Sequence, residues 1–430
     1  MNSKIGVIGL WHLGCVISVS WSELGHQVYG FDYDSSRISN LNMGNPPIFE
    51  PGLQENIIKG IESKTLYFSD KISHLSDCDY IFLSYDTPVN DDDSSDTSIL
   101  EKSVSDVSGV MKDNAILIIS SQSPVGFCNK LRDKLKQNNP SLEIAYSPEN
   151  LRLGEAIDCY LNPGRIILGT ASKDAETKCV SLFNEITQNI LRMSLESAEL
   201  VKHGINSFLA MSIVFANNLS DICEEKGGKI EEVVRGLKSD IRIGEKAYLS
   251  PGIGFSGGTL GRDLKVLDSI NSESHGFAKL FGFIHLSNNE RKDSIILKIK
   301  KLLDGIEGKR IAVLGLTYKP GTSTLRRSLP LEIVDLLLDN NAEVSVYDPK
   351  ADYSELNQEI KFKIKNSIQE VSKNSDMLLL LTDWPEFKSF NWQNILDNTN
   401  QKIFYDTKNC LEEEKMKKIG FQYYSLGSGR

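Results

Sequence analysis

At 430 residues the chain exceeds one ordinary globular domain, and about 150 residues per domain gives two or three. Hydrophobic residues make up 40% and charged residues 25%, with a mean hydropathy of -0.24, which excludes fibrous, collagenous and wholly disordered chains. The formal net charge of -10 leaves no overall basic field to hold nucleic acid or an anionic membrane, so neither is expected as a partner.

The N-terminus enters an apolar run at once, Lys4-Ile5-Gly6-Val7-Ile8-Gly9, without the basic segment and longer apolar core of a signal peptide. The densest apolar stretch, residues 377–381, falls far short of the roughly 20 residues of a spanning helix. A cytoplasmic protein is expected. The cysteines (Cys15, Cys78, Cys128, Cys159, Cys179, Cys223, Cys410) are odd in number and scattered. With no CxxC and no nearby histidine at ligand spacing, they read as reduced, mostly buried thiols, and no metal is expected.

Residues 4–9 read as a strand, 13–24 as an amphipathic helix and 27–32 as a second strand, the opening of a doubly wound α/β sheet. Between them lies Gly9-Leu10-Trp11-His12-Leu13-Gly14. In a GxGxxG turn the first glycine makes the bend, the second admits a pyrophosphate and the third lets helix pack on strand. Here Trp11 stands in the middle place. Asp32, about 20 residues on, is placed to accept from a ribose 2′-hydroxyl and to repel a 2′-phosphate, which favours NAD over NADP. A bare βαβ unit with a surface aspartate remains the alternative at this stage.

Runs at 80–83, 116–119 and 165–168 read as later strands, with turns at 84–88 and 120–126 beyond two of them; ligands collect at such carboxyl ends. The acidic stretch 90–96 reads as a solvated loop rather than a metal site. From 195 to 226 the pattern becomes one long helix interrupted only by Gly204, with Leu200, Ile205, Phe208, Leu209, Ile213 and Phe215 at three and four spacing. Lys202 and Asn206 share one face of it. A lysine and an amide so placed suit proton transfer at a substrate hydroxyl, or form a solvated face. His203 points elsewhere and reads as a packing or surface histidine.

The loop at 250–261 is dense in glycine and ends where a helix begins, which suits close backbone approach to a ligand better than a plain linker. Helix is expected again from 262 to about 303, closed by Asp304-Gly305. Residues 310–316 then echo 4–10, and 342–348 echo 27–32. The fold class is therefore α/β: two Rossmann-like doubly wound domains joined by a central helical region, with boundaries at 1–194, 195–304 and 305–430. The second copy lacks the glycine spacing and offers Lys319 and Arg326, which suit phosphate.

On these residues the sequence resembles the UDP-glucose/GDP-mannose dehydrogenase family of nucleotide-sugar dehydrogenases, nearly end to end. The resemblance is carried by Ile48-Phe49-Glu50-Pro51-Gly52-Leu53, Thr87-Pro88, Pro124-Val125-Gly126, Ser147-Pro148-Glu149-Asn150-Leu151-Arg152, Lys202 with Asn206, Asp240-Ile241-Arg242-Ile243-Gly244 and the glycine loop. Leu316-Thr317-Tyr318-Lys319-Pro320, Arg326 and Leu381-Thr382-Asp383-Trp384-Pro385-Glu386-Phe387 continue it.

The resemblance implies an NAD domain, a helical centre that forms a homodimer, and a C-terminal domain for a UDP-linked nucleotide sugar. It implies oxidation of a sugar C6 alcohol by hydride transfer to NAD, in the making of polysaccharide precursors. By the same resemblance Lys202, Asn206 and Asp263 position and activate the reacting oxygen or a water, and Glu149 is an acid/base near the sugar. Leu151, Arg242, the Gly254-Phe255 backbone, Lys319 and Lys408 hold the sugar nucleotide. The cofactor falls to Gly9, Leu10, Trp11, His12, Leu13, Gly14, Asp32, Arg37, Thr87, Gln122 and Arg326.

Departures from the family pattern fall on the cofactor turn and the second oxidation. The family's nucleophilic cysteine falls at Thr259, with no cysteine nearby in sequence. A thiol, with a reference pKa of about 8.5, gives appreciable thiolate near neutral pH, and a threonine hydroxyl gives none. The family's active-site threonine ahead of Pro-Val-Gly falls at Gln122, its second glutamate after Ser-Pro-Glu at Leu153, and its glycine before Thr-Pro at Asp86. The sequence thus reads as an NAD-linked nucleotide-sugar oxidoreductase that keeps Lys202, Asn206 and Asp263. One oxidation to an aldehyde or ketone, and full oxidation through a hydrated aldehyde, both fit. The rivals are a nucleotide-sugar or NAD binding protein without catalysis, and a hydroxyacid or phosphogluconate type dehydrogenase; the C-terminal copy with Lys319 and Trp384 argues against the latter.

Overall fold

Apolar runs that must be covered on both faces are stable inside a parallel sheet with helices on either side. The computed structural model describes residues 2–87, 96–148, 151–256, 259–273, 279–356 and 359–429, in two compact units, Met1–Gly204 and Ile205–Arg430. In the first unit the strands are β1 (Lys4–Ile8), β2 (Gln27–Phe31), β3 (Leu66–Ser69), β4 (Tyr80–Leu83), β5 (Ile116–Ile119), β6 (Glu143–Tyr146), β7 (Ile166–Thr170) and β8 (Ile190–Met193). Their order is β3-β2-β1-β4-β5-β6-β7-β8, parallel except where β6 meets β7. Ile116 and Ile118 of β5 enter one core while Leu117 and Ile119 enter another, so both faces are covered. The order reverses between β1 and β4, and the turns beyond those two strands frame the crevice where such sheets bind ligands.

The second unit repeats the plan with β9 (Arg310–Leu314), β10 (Glu343–Tyr347), β11 (Lys363–Ile364), β12 (Met377–Leu380), β13 (Ile403–Asp406) and β14 (Gln422–Ser425). The order is β11-β10-β9-β12-β13-β14, parallel throughout. Ile311 and Val313 face one core, Ala312 and Leu314 the other. Two Rossmann-like sheets and a helical region between them agree with the fold class expected from sequence.

The long helix is Leu195–Lys226, as its pattern predicts. The large apolar residues that mark it behave otherwise: Leu200, Phe208 and Phe215 are exposed. After Leu195 its buried positions are small or polar, among them Ala210, Ser212, Ala216, Asn217 and Ser220, because small side chains let neighbouring elements approach closely. Beyond the glycine loop, the helix expected over 262–303 is two described helices, Leu260–Glu273 and Leu280–Leu303. Asp304 (φ 52°) and Gly305 (φ 102°) then turn left-handed and end the second helix as expected. Residues 90–95 of the acidic stretch lie outside the described residues.

The polypeptide beyond β14 returns to the end of the long helix. Gly427 N–H donates to Glu224 at 2.7 Å, Ile230 N–H to the Gly427 carbonyl at 2.9 Å and Gly429 N–H to the Gly228 carbonyl at 2.8 Å. A Cβ on Gly429 would lie 2.4 Å from the Gly227 Cα, so only glycine fits. Lys298 pairs with Glu224 and donates to the Ser425 carbonyl. All seven cysteines are free, five of them buried. No helix among the described residues is long and apolar enough to cross a membrane.

Candidate active site

The turn after β1 needs its glycines for space. Gly9 is left-handed (φ 91°), and a Cβ there would meet the Tyr85 ring at 2.8 Å; a Cβ on Gly14 would lie 1.8 Å from the Gly9 carbonyl oxygen. Trp11 has φ -85°, so its position demands no glycine. It caps the helix His12–Glu23 through backbone only, and the first turn of that helix has neither a side-chain cap nor an acid. Open N–H groups at a helix N-terminus favour an anion. Leu10 is buried and Leu13 packs against the core, so those two residues can offer a ligand backbone rather than side chain.

Asp32 is buried at the end of β2. It accepts from Leu10 N–H at 2.7 Å, Asp34 N–H at 3.0 Å and Arg37 Nη1 at 2.8 Å. The Arg37 guanidinium lies 5.2 Å from the Trp11 ring centroid, within cation–π range. A cavity of about 420 Å³ opens there, lined by Trp11, Asp34, Arg37, Asn40, Asn45 and Pro46 among others. Thr87 Oγ1 donates to the Gln122 carbonyl at 3.0 Å, joining the turns beyond β4 and β5. The glycine cradle, the open helix end and the carboxylate together fit a dinucleotide.

Two buried carboxylates that the sequence reading gave no role build the surroundings. Glu50 accepts from Gly154 N–H at 3.0 Å, Ala156 N–H at 2.9 Å and faces His12 Nε2 at 2.9 Å. It thereby ties the 151–156 segment to the first residue of the cofactor helix. Burial pushes the Glu50 carboxyl up, but the two N–H groups and the His12 ring outweigh it and hold it below the usual glutamate range. Leu151 packs against the core, whereas Leu153 is exposed; Glu149 lies outside the described residues. Glu199 accepts from Gly126 N–H at 2.6 Å and Cys128 N–H at 2.8 Å, occupying the N-terminus of the helix Phe127–Asn138. One turn on, His203 Nε2 meets the Ser123 carbonyl at 2.9 Å, so it is a packing histidine. Lys202, half-buried, lies between these two anchors in sequence.

In the second unit the buried Asn206 amide donates to Asp263, which is also buried. Arg262 Nε stands 3.6 Å from the same carboxylate. Thr259 is exposed, and its carbonyl accepts from Asp263 N–H at 3.2 Å, at the start of Leu260–Glu273. Of the glycine loop, Gly254 is left-handed (φ 110°), and both backbone groups of Phe255 are engaged by Asn288. Residues 257–258 lie outside the described residues.

The remaining predicted residues lie on other loops of the second unit. Arg242, 85% exposed, forks onto Asp240 at 3.0 and 2.7 Å. Lys319 is exposed, with its Nζ 5.6 Å from the Tyr318 ring centroid. Lys408 is partly buried; burial lowers its pKa while Asp383, Cys410 and Asp406 oppose the shift. Arg326 is exposed at a cavity of about 830 Å³ that also borders Arg327, Leu331, Asp335, Leu338 and Phe362. That larger cavity contains no other predicted residue. Asp348, the counterpart of Asp32, accepts from the N–H groups of Leu316 (2.7 Å), Thr317 (3.0 Å), Lys350 and Ala351 (2.9 Å each), and from Trp384 Nε1 (3.1 Å).

Family models match the chain in three successive parts described as the NAD binding domain (residues 3–187), the central domain (196–290) and the UDP binding domain (312–413) of the UDP-glucose/GDP-mannose dehydrogenase family. The chain belongs to this family. It is 34% identical to a UDP-glucose 6-dehydrogenase of Rickettsia felis over 99% of this chain and 96% of that protein. It is 33% identical to one of Bacillus subtilis over 99% and 97%. The solved UDP-glucose dehydrogenase of Pyrobaculum islandicum superposes with a TM-score of 0.87 at 25% identity, covering 100% of this chain and 98% of that one. The protein is an NAD-dependent oxidoreductase acting on a CH–OH group, with a nucleotide sugar as substrate.

Glu50→Gln replaces an acceptor with a donor opposite two N–H groups and is expected to destabilise the protein by about 1.5–3 kcal/mol near neutral pH, the scale of hydrogen bonds to a charged group. Because the folded carboxyl titrates below its unfolded value, its stabilisation is present above the ordinary glutamate range and fades as pH falls. Melting curves of the two proteins should therefore converge in acid.

Proposed function

We propose that the protein oxidises the C6 hydroxyl of a UDP-linked hexose of the UDP-glucose class, supplying an oxidised sugar nucleotide for polysaccharide. The observation that carries this reading is the buried Asp263 held by the Asn206 amide, with Lys202 one helical turn before Asn206 in the same helix. In this reading Lys202 takes the hydroxyl proton as hydride leaves the carbon, since a positioned base lowers the barrier of such a step. Bound NAD supplies the nicotinamide that accepts the hydride. Asn206 and Asp263 orient the reacting oxygen or a water, and Glu149 shuttles a proton near the sugar.

The glycine turn, Asp32, Arg37, Thr87 and Gln122 hold the cofactor, joined by Arg326. Leu151, Arg242, the Gly254-Phe255 segment, Lys319 and Lys408 hold the sugar nucleotide; the exposed cations Arg242 and Lys319 suit its phosphates. Thr259 stands in the catalytic loop without a thiol, so both hydride steps proceed here without a covalent sugar–enzyme bond, the second from a hydrated aldehyde. Functional parts at 1–194, 195–304 and 305–430 follow, a division that the three matched family regions support. A cytoplasmic location suits the free thiols.

The protein is further proposed to work as a homodimer through its central helices. Phe208, Phe215 and Ile222 recur every seven residues on the long helix and are 61%, 49% and 54% exposed. Such an unpartnered apolar stripe suits a second helix.

The direct test is NADH production over a panel of UDP-linked sugars, with product mass; no NADH from any of them would overturn the reading. Lys202→Ala should lower turnover by about 10²–10⁴-fold with nucleotide binding retained. Thr259→Val should leave the first hydride transfer nearly unchanged, and intact-protein mass spectrometry should find no sugar adduct unless Thr259 is replaced by cysteine. Phe215→Glu should shift the protein from dimer to monomer in sedimentation equilibrium.

A further inference from the structure

The glycine loop is held by three side chains buried in the second unit. Asn217 Oδ1 accepts from Gly252 N–H at 2.7 Å, and Arg291 Nε donates to the Gly252 carbonyl at 3.1 Å. Asn288 Oδ1 accepts from Phe255 N–H at 2.8 Å while its Nδ2 donates to the Phe255 carbonyl at 3.0 Å. Asn288 and Arg291 are each 4% exposed. Arg291 is fixed in turn by both carboxylate oxygens of Asp221, at 2.6 and 2.7 Å.

The two bonds of Asn288 fall on different peptide units, those before and after the Phe255 Cα. Neither unit can rotate without breaking one of them. A trans peptide is planar with its N–H and C=O opposed. With Phe255 N–H aimed at Asn288, the Gly254 carbonyl of that same unit is aimed away from it. Gly254 itself is left-handed at φ 110°, and a Cβ there would lie 2.7 Å from Asn288 Oδ1. The glycine is thus demanded by the amide against which it packs. A buried asparagine with both ends of its amide spent on one loop residue sets a direction, which an apolar side chain of the same volume would leave free.

We propose that Asn288 is a positioning residue for the nucleotide sugar: it aims the Gly254 carbonyl as a fixed acceptor for a sugar hydroxyl, with Arg291 and Asn217 anchoring the loop at Gly252. This rests on the reading that the Gly254-Phe255 segment holds the sugar. The carbonyl makes its bond equally in the ground state and the transition state, so its contribution appears in KM for the sugar and not in turnover.

The test compares Asn288→Ser with Gly254→Ala in the full-length protein, using UDP-glucose as the probe. Asn288→Ser should raise KM for the sugar about 3–10-fold, the loss of about one hydrogen bond, with kcat at saturating sugar and the Kd for NAD unchanged. If Asn288→Ser unfolds the protein, Asn288→Asp, of equal size but repelling the Phe255 carbonyl, is read in the same way. A raised KM for Gly254→Ala beside an unchanged KM for the Asn288 variants overturns the positioning role and leaves the sugar site at the loop. An unchanged sugar KM for Gly254→Ala as well overturns the reading of the loop on which the proposal stands. A fall in kcat or in NAD affinity, with sugar KM unaltered, assigns Asn288 to packing and also overturns it.

Discussion

A carboxylate that leaves water must find donors, and in this fold the donors are the backbone N–H groups of loops. Asp32 fixes the turn after β1, Glu50 the 151–156 segment, Glu199 the start of the helix Phe127–Asn138, and Asp348 the turn after β9. Asp406 does the same beyond β13 through the N–H groups of Lys408, Cys410 and Leu411. Parallel sheets gather their loops at one edge, and loops there have few neighbours with which to satisfy their amides. Buried acids provide those partners and give each loop one conformation. The proposed ligand-binding turns are consequently rigid before any ligand arrives, which lowers the entropy lost on binding.

The two sheets show one device put to different uses. Asp32 takes two N–H groups and one guanidinium, and it neighbours a cavity beside Trp11. Asp348 takes four N–H groups and an indole, so its oxygens are spent on the protein. The second turn also lacks the glycine spacing. Its carboxylate is therefore a structural clamp, and in the proposed reading recognition in that unit passes to cationic side chains such as Lys319 and Lys408. This agrees with family models that describe one part as NAD binding and the other as UDP binding.

Much of the fold was legible because periodicity reports burial. The long helix, β4 and β5 fall where their patterns place them, and the repeated opening of β9 and β10 is visible by eye in the sequence. The short strands β3, β6 and β8 are not, since four residues that include a serine, a glutamate or an arginine carry too little pattern. The outward face of the long helix misleads for a related reason: Leu200, Phe208 and Phe215, which help to identify it as a helix, are exposed rather than packed within the chain. At the candidate site, the spacing of Lys202 and Asn206 can be read, but the Asp263 that Asn206 binds is 57 residues away. Glu199, Asn217, Asn288 and Arg291 also act on loops 33 to 73 residues distant. No local rule marks them, because their partners are backbone atoms, which leave no trace in residue identity.

The segment beyond β14 carries a consequence for synthesis on the ribosome. Residues 425–429 supply the amides and carbonyls that finish the corner at the end of the long helix, and β14 completes its sheet. Both come late in translation, whereas the first unit has all eight of its described strands once Met193 has emerged. The first unit can fold while the ribosome is still working, as domains commonly do. The second stays open at that corner until residues 425–429 are free of the exit tunnel, leaving Glu224 and Lys298 without those contacts during that interval.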